Sequence, residues 1–166
     1  MQEILINLIP FTPLFMLFFH IVDDYYLQGV LAKLKQKSYW TNKNNYPQEI
    51  AMNPKKLDKY STDWFPALLM HSFSWSFMIL LPMILFVGAS GYADSQGMYN
   101  TLLYFVLGAF VVNTVIHFIV DHLKANTYSL TLVTDQMIHL LQIIVTFMVA
   151  TILGLYTLQP EVIQFV

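Results

Sequence analysis

The sequence predicts an all-α integral membrane protein: a four-helix bundle forming one transmembrane domain over residues 1–166. Three observations predict it. Hydrophobic residues make up 57% of the chain and charged residues 11%, against roughly 25% charged in a soluble domain. Four apolar stretches are each long enough to cross about 30 Å of hydrocarbon at about 1.5 Å per helical residue. These stretches do not alternate, as the tilted strands of a membrane barrel would.

The first span covers about Ile4 to Leu31. Its head, Met1-Gln2-Glu3, lacks the positive charge of a signal peptide, and no small-residue cleavage site follows the apolar run, so it reads as a retained helix. Pro10 and Pro13 are expected to kink its outer part. A polar connection from Lys33 to Asp63 follows, rich in Lys, Asn and Tyr, with a short surface helix expected around Glu49 to Met52. The second span runs from Trp64 to about Ala89. Asp63 is its expected N-cap, Pro66 is tolerated in its first turn, and Pro82 is an expected kink. A Gly/Ser turn, Gly88 to Met98, leads to the third span, about Tyr99 to Leu123. The short connection Lys124 to Thr131 leads to the fourth, about Leu132 to Leu158.

Lysine placement sets the expected orientation. The chain has no arginine, and all its lysines lie between Lys33 and Lys59 except Lys124. Both lysine-bearing connections fall on one side of a four-helix bundle. The positive-inside rule makes that side cytoplasmic, with both termini outside, as in a bacterial inner membrane. The net charge of -2 offers no dense basic face for nucleic acid. Cysteine is absent, which removes disulfides and thiolate metal sites.

Polar residues inside the spans carry the functional signal, because ionisable groups in a membrane are costly and face the bundle interior. The first span carries His20, Asp23, Asp24 and Gln28; the second His71; the third Asn113, His117 and Asp121, then Lys124; the fourth Asp135, Gln136 and His139. His20 with Asp24, His117 with Asp121, and Asp135 with His139 are spaced by four, which stacks each pair on one helix face. With the orientation set by lysine alone, all four helices bring these groups to one cytoplasmic level. Facing helices that carry imidazoles and carboxylates are how bundles build metal sites. Mixed His/carboxylate ligation suits a divalent transition metal such as Zn, Mn or Fe, and the number of donors is enough for two ions.

The set His20-x-x-Asp23-Asp24-Tyr-Tyr-Leu-Gln28, Asn113-x-x-x-His117-x-x-x-Asp121-x-x-Lys124 and Asp135-Gln136-x-x-His139 resembles a family of small bacterial and phage membrane proteins catalogued as a domain of unknown function. The resemblance covers nearly the whole chain and implies a four-helix membrane protein rather than an activity. A weaker similarity in arrangement links it to membrane-bound metal-dependent hydrolases. The family pattern often has an aromatic after a single Asp, whereas Asp24 follows Asp23 here, and spacing from His20 favours neither as the ligand.

Three functions fit this pattern. The leading one is a membrane metal-dependent hydrolase acting at the cytoplasmic face on a lipid-borne or membrane-proximal substrate. In it His20, Asp24, His117, Asp121, Asp135 and His139 bind metal. His71 and Asp23 are the catalytic candidates, His71 as base or further ligand, while Gln28, Asn113 and Gln136 orient the centre. The second is a divalent-ion or proton carrier or channel. The third is a non-catalytic membrane subunit or scaffold. The blander readings are interhelical hydrogen bonding for His71, a helix-end ion pair for Asp121 with Lys124, and a dipole partner for Asp135. Expected partners are membrane lipid, an anionic lipid or lipid-phosphate substrate, and a homo-oligomeric or other membrane complex. The lysine-rich connection either lies on anionic head groups or gathers an anionic substrate. Cysteines introduced at Asn44 and Asn126 are expected to be shielded from an impermeant thiol reagent in intact cells, and those at Ser95 and Gln164 to react; labelling at Asn44 in sealed cells would reverse the orientation.

Overall fold

The computed structural model describes residues 11–90 and 96–162, with side chains described over 11–85, at Asn100 and over 103–153. Residues 1–10, including Met1-Gln2-Glu3, the expected start at Ile4 and the expected kink at Pro10, lie outside the described residues. So do Ser95 within the expected Gly88–Met98 turn, and Gln164. Every regular element among the described residues is helical. Helix α1, Thr12–Ile21, continues directly into a π-helical stretch, Val22–Leu27. The short helices α2 (Leu31–Leu34), α3 (Lys37–Thr41), α4 (Gln48–Ala51) and α5 (Pro54–Asp58) follow, and then the long helices α6 (Trp64–Ser90), α7 (Gln96–Ala125) and α8 (Leu132–Val162).

Among the described residues, three helices are long and apolar enough to cross a membrane. They contain Trp64–Leu85, Leu103–Ala125 and Leu132–Leu153, with mean hydropathies of 1.7, 2.2 and 1.9. Over its described residues α1 is shorter. It packs on α6 and α8, and α7 packs on the same two helices from the other side. Helix α6 is the central element, with 44% of its span buried against 22% for each of the other two. Its buried positions, Leu68, His71, Ser72, Trp75, Ser76, Ile79, Leu80 and Met83, recur every three or four residues, the stripe a helix presents to its neighbours. The outward faces carry Phe73, Phe77, Val111, Val115, Leu141, Val145 and Met148, all exposed, while the interior holds histidines, aspartates and amides. A polar interior under an apolar surface is the arrangement of an integral membrane protein, whose outer solvent is hydrocarbon.

The interior has two levels. One is an apolar core of Met16, Trp75, Ile79, Leu80, Met83, Val106 and Ile143. The other, at the end where residues 28–63 and 126–131 connect the helices, is polar. These two connections touch: the Asn126 side chain accepts from Lys37 N at 2.6 Å and donates to Lys35 O at 3.1 Å. Trp64 stacks on His122 at 4.9 Å, with Lys37 Nζ 4.6 Å above the Trp64 ring. His122 thus sits at the helix end, away from the polar interior.

Several boundaries differ from the sequence expectation for local reasons. The first helix stops at Leu27 rather than Leu31, because Gly29 takes a left-handed φ of +46°, a conformation that costs any other L-residue. Pro13 does not interrupt the described part of α1 but stands in its first turn, where its missing N–H breaks no hydrogen bond. The polar connection is not bare loop. The expected surface helix is α4, and α5 begins beside it, with the Asn53 side chain accepting from Lys55 N and Lys56 N as an N-cap. Pro82 lies inside α6, and α7 and α8 extend past the expected ends to Ala125 and Val162.

A matched pair of substitutions separates conformational strain from space. A Cβ on Gly29 would meet only Leu27 O at 3.6 Å, and one on Gly108 would meet nothing within 4 Å. Gly29→Ala is therefore expected to lose about 1–2 kcal/mol through the left-handed φ alone, while helical Gly108→Ala gains up to about 1 kcal/mol. Unfolding midpoints of the two variants in detergent check both signs.

Candidate metal centre

Four helices place carboxylates and imidazoles together. The π-helical turn after α1 directs Asp23 towards α6 and Asp24 towards α8. Asp23 Oδ1 accepts from Ser74 Oγ at 2.6 Å, and Asp24 Oδ2 accepts from Gln136 Nε2 at 3.3 Å. Widened turns of this kind recur at functional sites because they re-aim neighbouring side chains. Helix α6 brings His71, α7 brings His117 and Asp121 one turn apart, and α8 brings Asp135 and His139 one turn apart. Each of these five is 2% exposed or less.

The donor atoms gather on two sides of Asp121, and the sets mutually close enough to hold one ion are Asp24, His71 and His117, and His117, Asp121 and His139. On the first side, His71 Nε2 lies 3.2 Å from His117 Nε2, 3.2 Å from Asp121 Oδ2 and 3.5 Å from Asp24 Oδ1. His117 Nε2 lies 3.8 Å from the same Asp121 oxygen. On the second, His139 Nε2 lies 3.4 Å from Asp121 Oδ1 and 3.4 Å from Asp135 Oδ1. Ligands held about 2.0–2.1 Å from a tetrahedral ion stand about 3.3–3.4 Å apart. The separations of 3.2–3.5 Å around His71 and His139 are close to that spacing, and the Asp121 carboxylate turns one oxygen towards each.

Hydrogen bonding orients these donors. Gln142 Nε2 donates to the backbone oxygen of Asn113 at 3.3 Å and to its Oδ1 at 3.2 Å. Gln142 Oε1 therefore faces His139 Nδ1, at 3.0 Å. An amide oxygen only accepts, so Nδ1 carries a proton. Nε2 stands 3.4 Å from two carboxylate oxygens. His139 Nε2, Asp135 Oδ1 and Asp24 Oδ1 are buried side-chain atoms without a hydrogen-bond partner among the described residues, together with Asp23 Oδ2 and Ser76 Oγ. Lone pairs facing one another in a buried site repel unless a proton or a metal cation lies between them. Asn113 anchors the relay by donating to Ala109 O and Thr146 Oγ1, both at 2.9 Å.

His20 is placed differently from the other histidines. Trp75 Nε1 donates to its Nδ1 at 2.7 Å, so Nε2 carries the proton and faces Gln136 Oε1 at 3.1 Å. Both ring nitrogens are thus engaged, with Asp24 Oδ2 3.6 Å from Nδ1. Gln136 also donates to Asp135 Oδ2 at 3.0 Å, tying the first helix to α8. Gln28 Nε2 lies 3.3 Å from His71 Nε2, and Asp23 Oδ2 lies 3.8 Å from His71 Nδ1. All the residues singled out in the sequence thus converge on this region. Residues that the spacing did not flag complete it. Trp75 lies flat on His117, 4.2 Å away at 19°, and fixes the plane of that ring. Gln142, three residues after His139 on the same helix face, was visible only as a polar residue in an apolar run.

Two ammonium groups enter from the connecting segments. Lys35 Nζ reaches Asp121 Oδ2 at 2.5 Å with its side chain only 9% exposed, and Lys124 Nζ reaches Asp135 Oδ2 at 2.5 Å. Lys35 belongs to the lysine-rich connection that the sequence reads either as lying on head groups or as gathering an anion; α2, split from α1 by Gly29, turns it inward. Lys124 was expected as a partner of Asp121 on its own helix, yet its ion pair is with Asp135 of the neighbouring one. A cavity of about 330 Å³ opens here, lined by Asp24, Gln28, Lys35, Asp121, Lys124 and Gln136 among others.

Compared with known proteins, the chain matches no family model, no curated protein and no solved structure.

Proposed function

We infer that this protein is a membrane metal-dependent hydrolase, with two divalent transition-metal ions sharing Asp121, that acts on a lipid-borne or membrane-proximal substrate. One observation carries the reading. His139 Nε2, without a hydrogen-bond partner among the described residues, stands 3.4 Å from both Asp121 Oδ1 and Asp135 Oδ1, an arrangement that a divalent cation among them stabilises. The first ion would be held by Asp24, His71 and His117 with an Asp121 oxygen beside them, and the second by Asp121 and His139 with Asp135 or His117 beside them. Ions so held supply a Lewis acid and lower the pKa of a water at neutral pH. His71, beside Gln28 and Asp23, belongs to the first ion in this reading, and Asp23 is left to accept a proton. His20 and Gln136 hold Asp24 and Asp135 in place, while Asn113 acts through Gln142 on His139.

The first helix counts as a fourth span of a four-helix bundle in this reading. The lysine-rich end faces the cytoplasm by the positive-inside rule, which puts both termini outside a bacterial inner membrane. The resemblance to small bacterial and phage membrane proteins is compatible with that placement. A path for ions across the protein is disfavoured by the apolar core above the cluster, from Met16 to Met83 and Ile143. A scaffold reading has one observation in its favour: Lys35 and Lys124 already pair with Asp121 and Asp135.

Elemental analysis separates these readings. Protein purified without chelator is expected to carry transition metal, and Asp121→Asn or His139→Ala to insert normally yet lose most of it. Metal-free wild type, with no rise in thermal midpoint on adding Zn or Mn, would instead leave the scaffold reading standing. Gln142→Leu is expected to lower metal affinity by about 10–100-fold without changing the number of ions at saturation, because it frees the His139 tautomer and removes no ligand. Unchanged affinity in a titration of that variant would break the link between the relay and the centre.

A further inference from the structure

The two ammoniums and the two ion positions compete for the same carboxylates. Lys35 Nζ lies 2.5 Å from Asp121 Oδ2, the oxygen that stands 3.2 Å from His71 Nε2 in the first donor group. Lys124 Nζ lies 2.5 Å from Asp135 Oδ2, on the carboxylate whose other oxygen belongs to the second group. A divalent ion on Asp121 repels an ammonium at that distance. Lysine is a point charge on a flexible four-carbon stem, and both lysines line the cavity of about 330 Å³, which gives each ammonium room to swing without leaving the site.

Charge balance says what the freed ammoniums then face. Asp23, Asp24, Asp121 and Asp135 bring four negative charges to the cluster, and Lys35 and Lys124 bring two positive ones. Without ions the cluster is net negative and repels anions. With two divalent ions it carries two positive charges in excess, in a site with little water, where uncompensated charge is costly. A carboxylate would cancel half of that excess; a dianionic phosphate cancels all of it.

Resting on the two-ion reading above, we propose that the cavity takes a phosphomonoester dianion, held between the ammoniums of Lys35 and Lys124, and only when the metal centre is loaded. The ammoniums thus have two partners in turn, their aspartates in the ion-free protein and the phosphate oxygens in the loaded one. Gln28 and Gln136, on the cavity wall, offer amide groups to the same anion. The cavity is near the small end of ligand pockets, which suits a head group rather than a whole lipid. The chemistry is common to a lipid phosphomonoester and to soluble phosphate.

The test is calorimetric titration of inorganic phosphate into the full chain in phosphatidylcholine nanodiscs, with and without saturating Mn. Saturable binding is expected only with Mn. Lys35→Gln and Lys124→Gln should each weaken it about tenfold or more while keeping the Mn stoichiometry. Lys35→Arg should retain binding, and Lys35→Gln should also bind Mn more tightly, since no ammonium competes. Nanodiscs containing phosphatidic acid distinguish the sources: loss of phosphate binding there assigns the site to a lipid head group, and unchanged binding assigns it to a soluble phosphate. Loaded protein that ignores phosphate, or phosphate binding that survives both Gln substitutions or needs no Mn, overturns the proposal and leaves the metal centre intact. A chain that takes up no Mn overturns both.

Discussion

Everything in the lower interior depends on the Asp121 carboxylate, buried where hydrocarbon and protein exclude water. A bare carboxylate there is costly by several kcal/mol even after relaxation, so its neighbours are arranged around its charge. His71, His117 and His139 converge on it from three helices, and Lys35 arrives from the connecting segment. Removing it would unpair a lysine and leave three imidazoles facing one another. Asp135 repeats the solution one helix away, with Lys124 and His139 as partners.

The same constraint explains how the helices are held together. Association of helices in lipid gains little from the hydrophobic effect, since lipid tails are as apolar as leucine. Interhelical polar contacts therefore matter more here, at roughly 0.6–2 kcal/mol each. They tie every long helix to another: Ser74 to Asp23, Trp75 to His20, Gln136 to Asp24, Asn113 to Thr146, and Gln142 to Asn113. Most of them also orient a donor of the cluster, so the contacts that fix the fold fix the site. Above them the core turns apolar, and Trp75 joins the two levels, with its ring on His117 and its N–H on His20.

The connecting segment is as much a part of the site as the spans are. Gly29 ends the first helix and lets α2 fold back, which carries Lys35 inward instead of along a longer α1. Asn126 then bonds the backbone of Lys35 and Lys37, on either side of Gln36, fixing the two connections against each other. The cavity between them is bounded by lysine, carboxylate and amide groups, while a second cavity of about 410 Å³ between α7 and α8 is largely apolar.

By itself the sequence determined the all-helical class, the apolar stretches, read as four spans where three helices among the described residues are long and apolar enough to cross a membrane, and the level at which polar groups gather. Those properties follow from local composition and helical period, which are readable residue by residue. The pairing of His117 with Asp121 and of Asp135 with His139 was legible for the same reason, since residues four apart share a helix face. Only the tertiary structure decided which donors face a common point. It engaged both nitrogens of His20 with Trp75 and Gln136, and split Asp121 between two donor groups. It also set Asp24 beside both His20 and His71 and Asp23 beside His71 and Ser74, through a widened turn that no spacing rule announces. Lys35 and Gln142 were hidden because their roles depend on a left-handed glycine and on a neighbouring helix. Contacts between helices are set by packing across the fold, and a single chain's local pattern does not encode them.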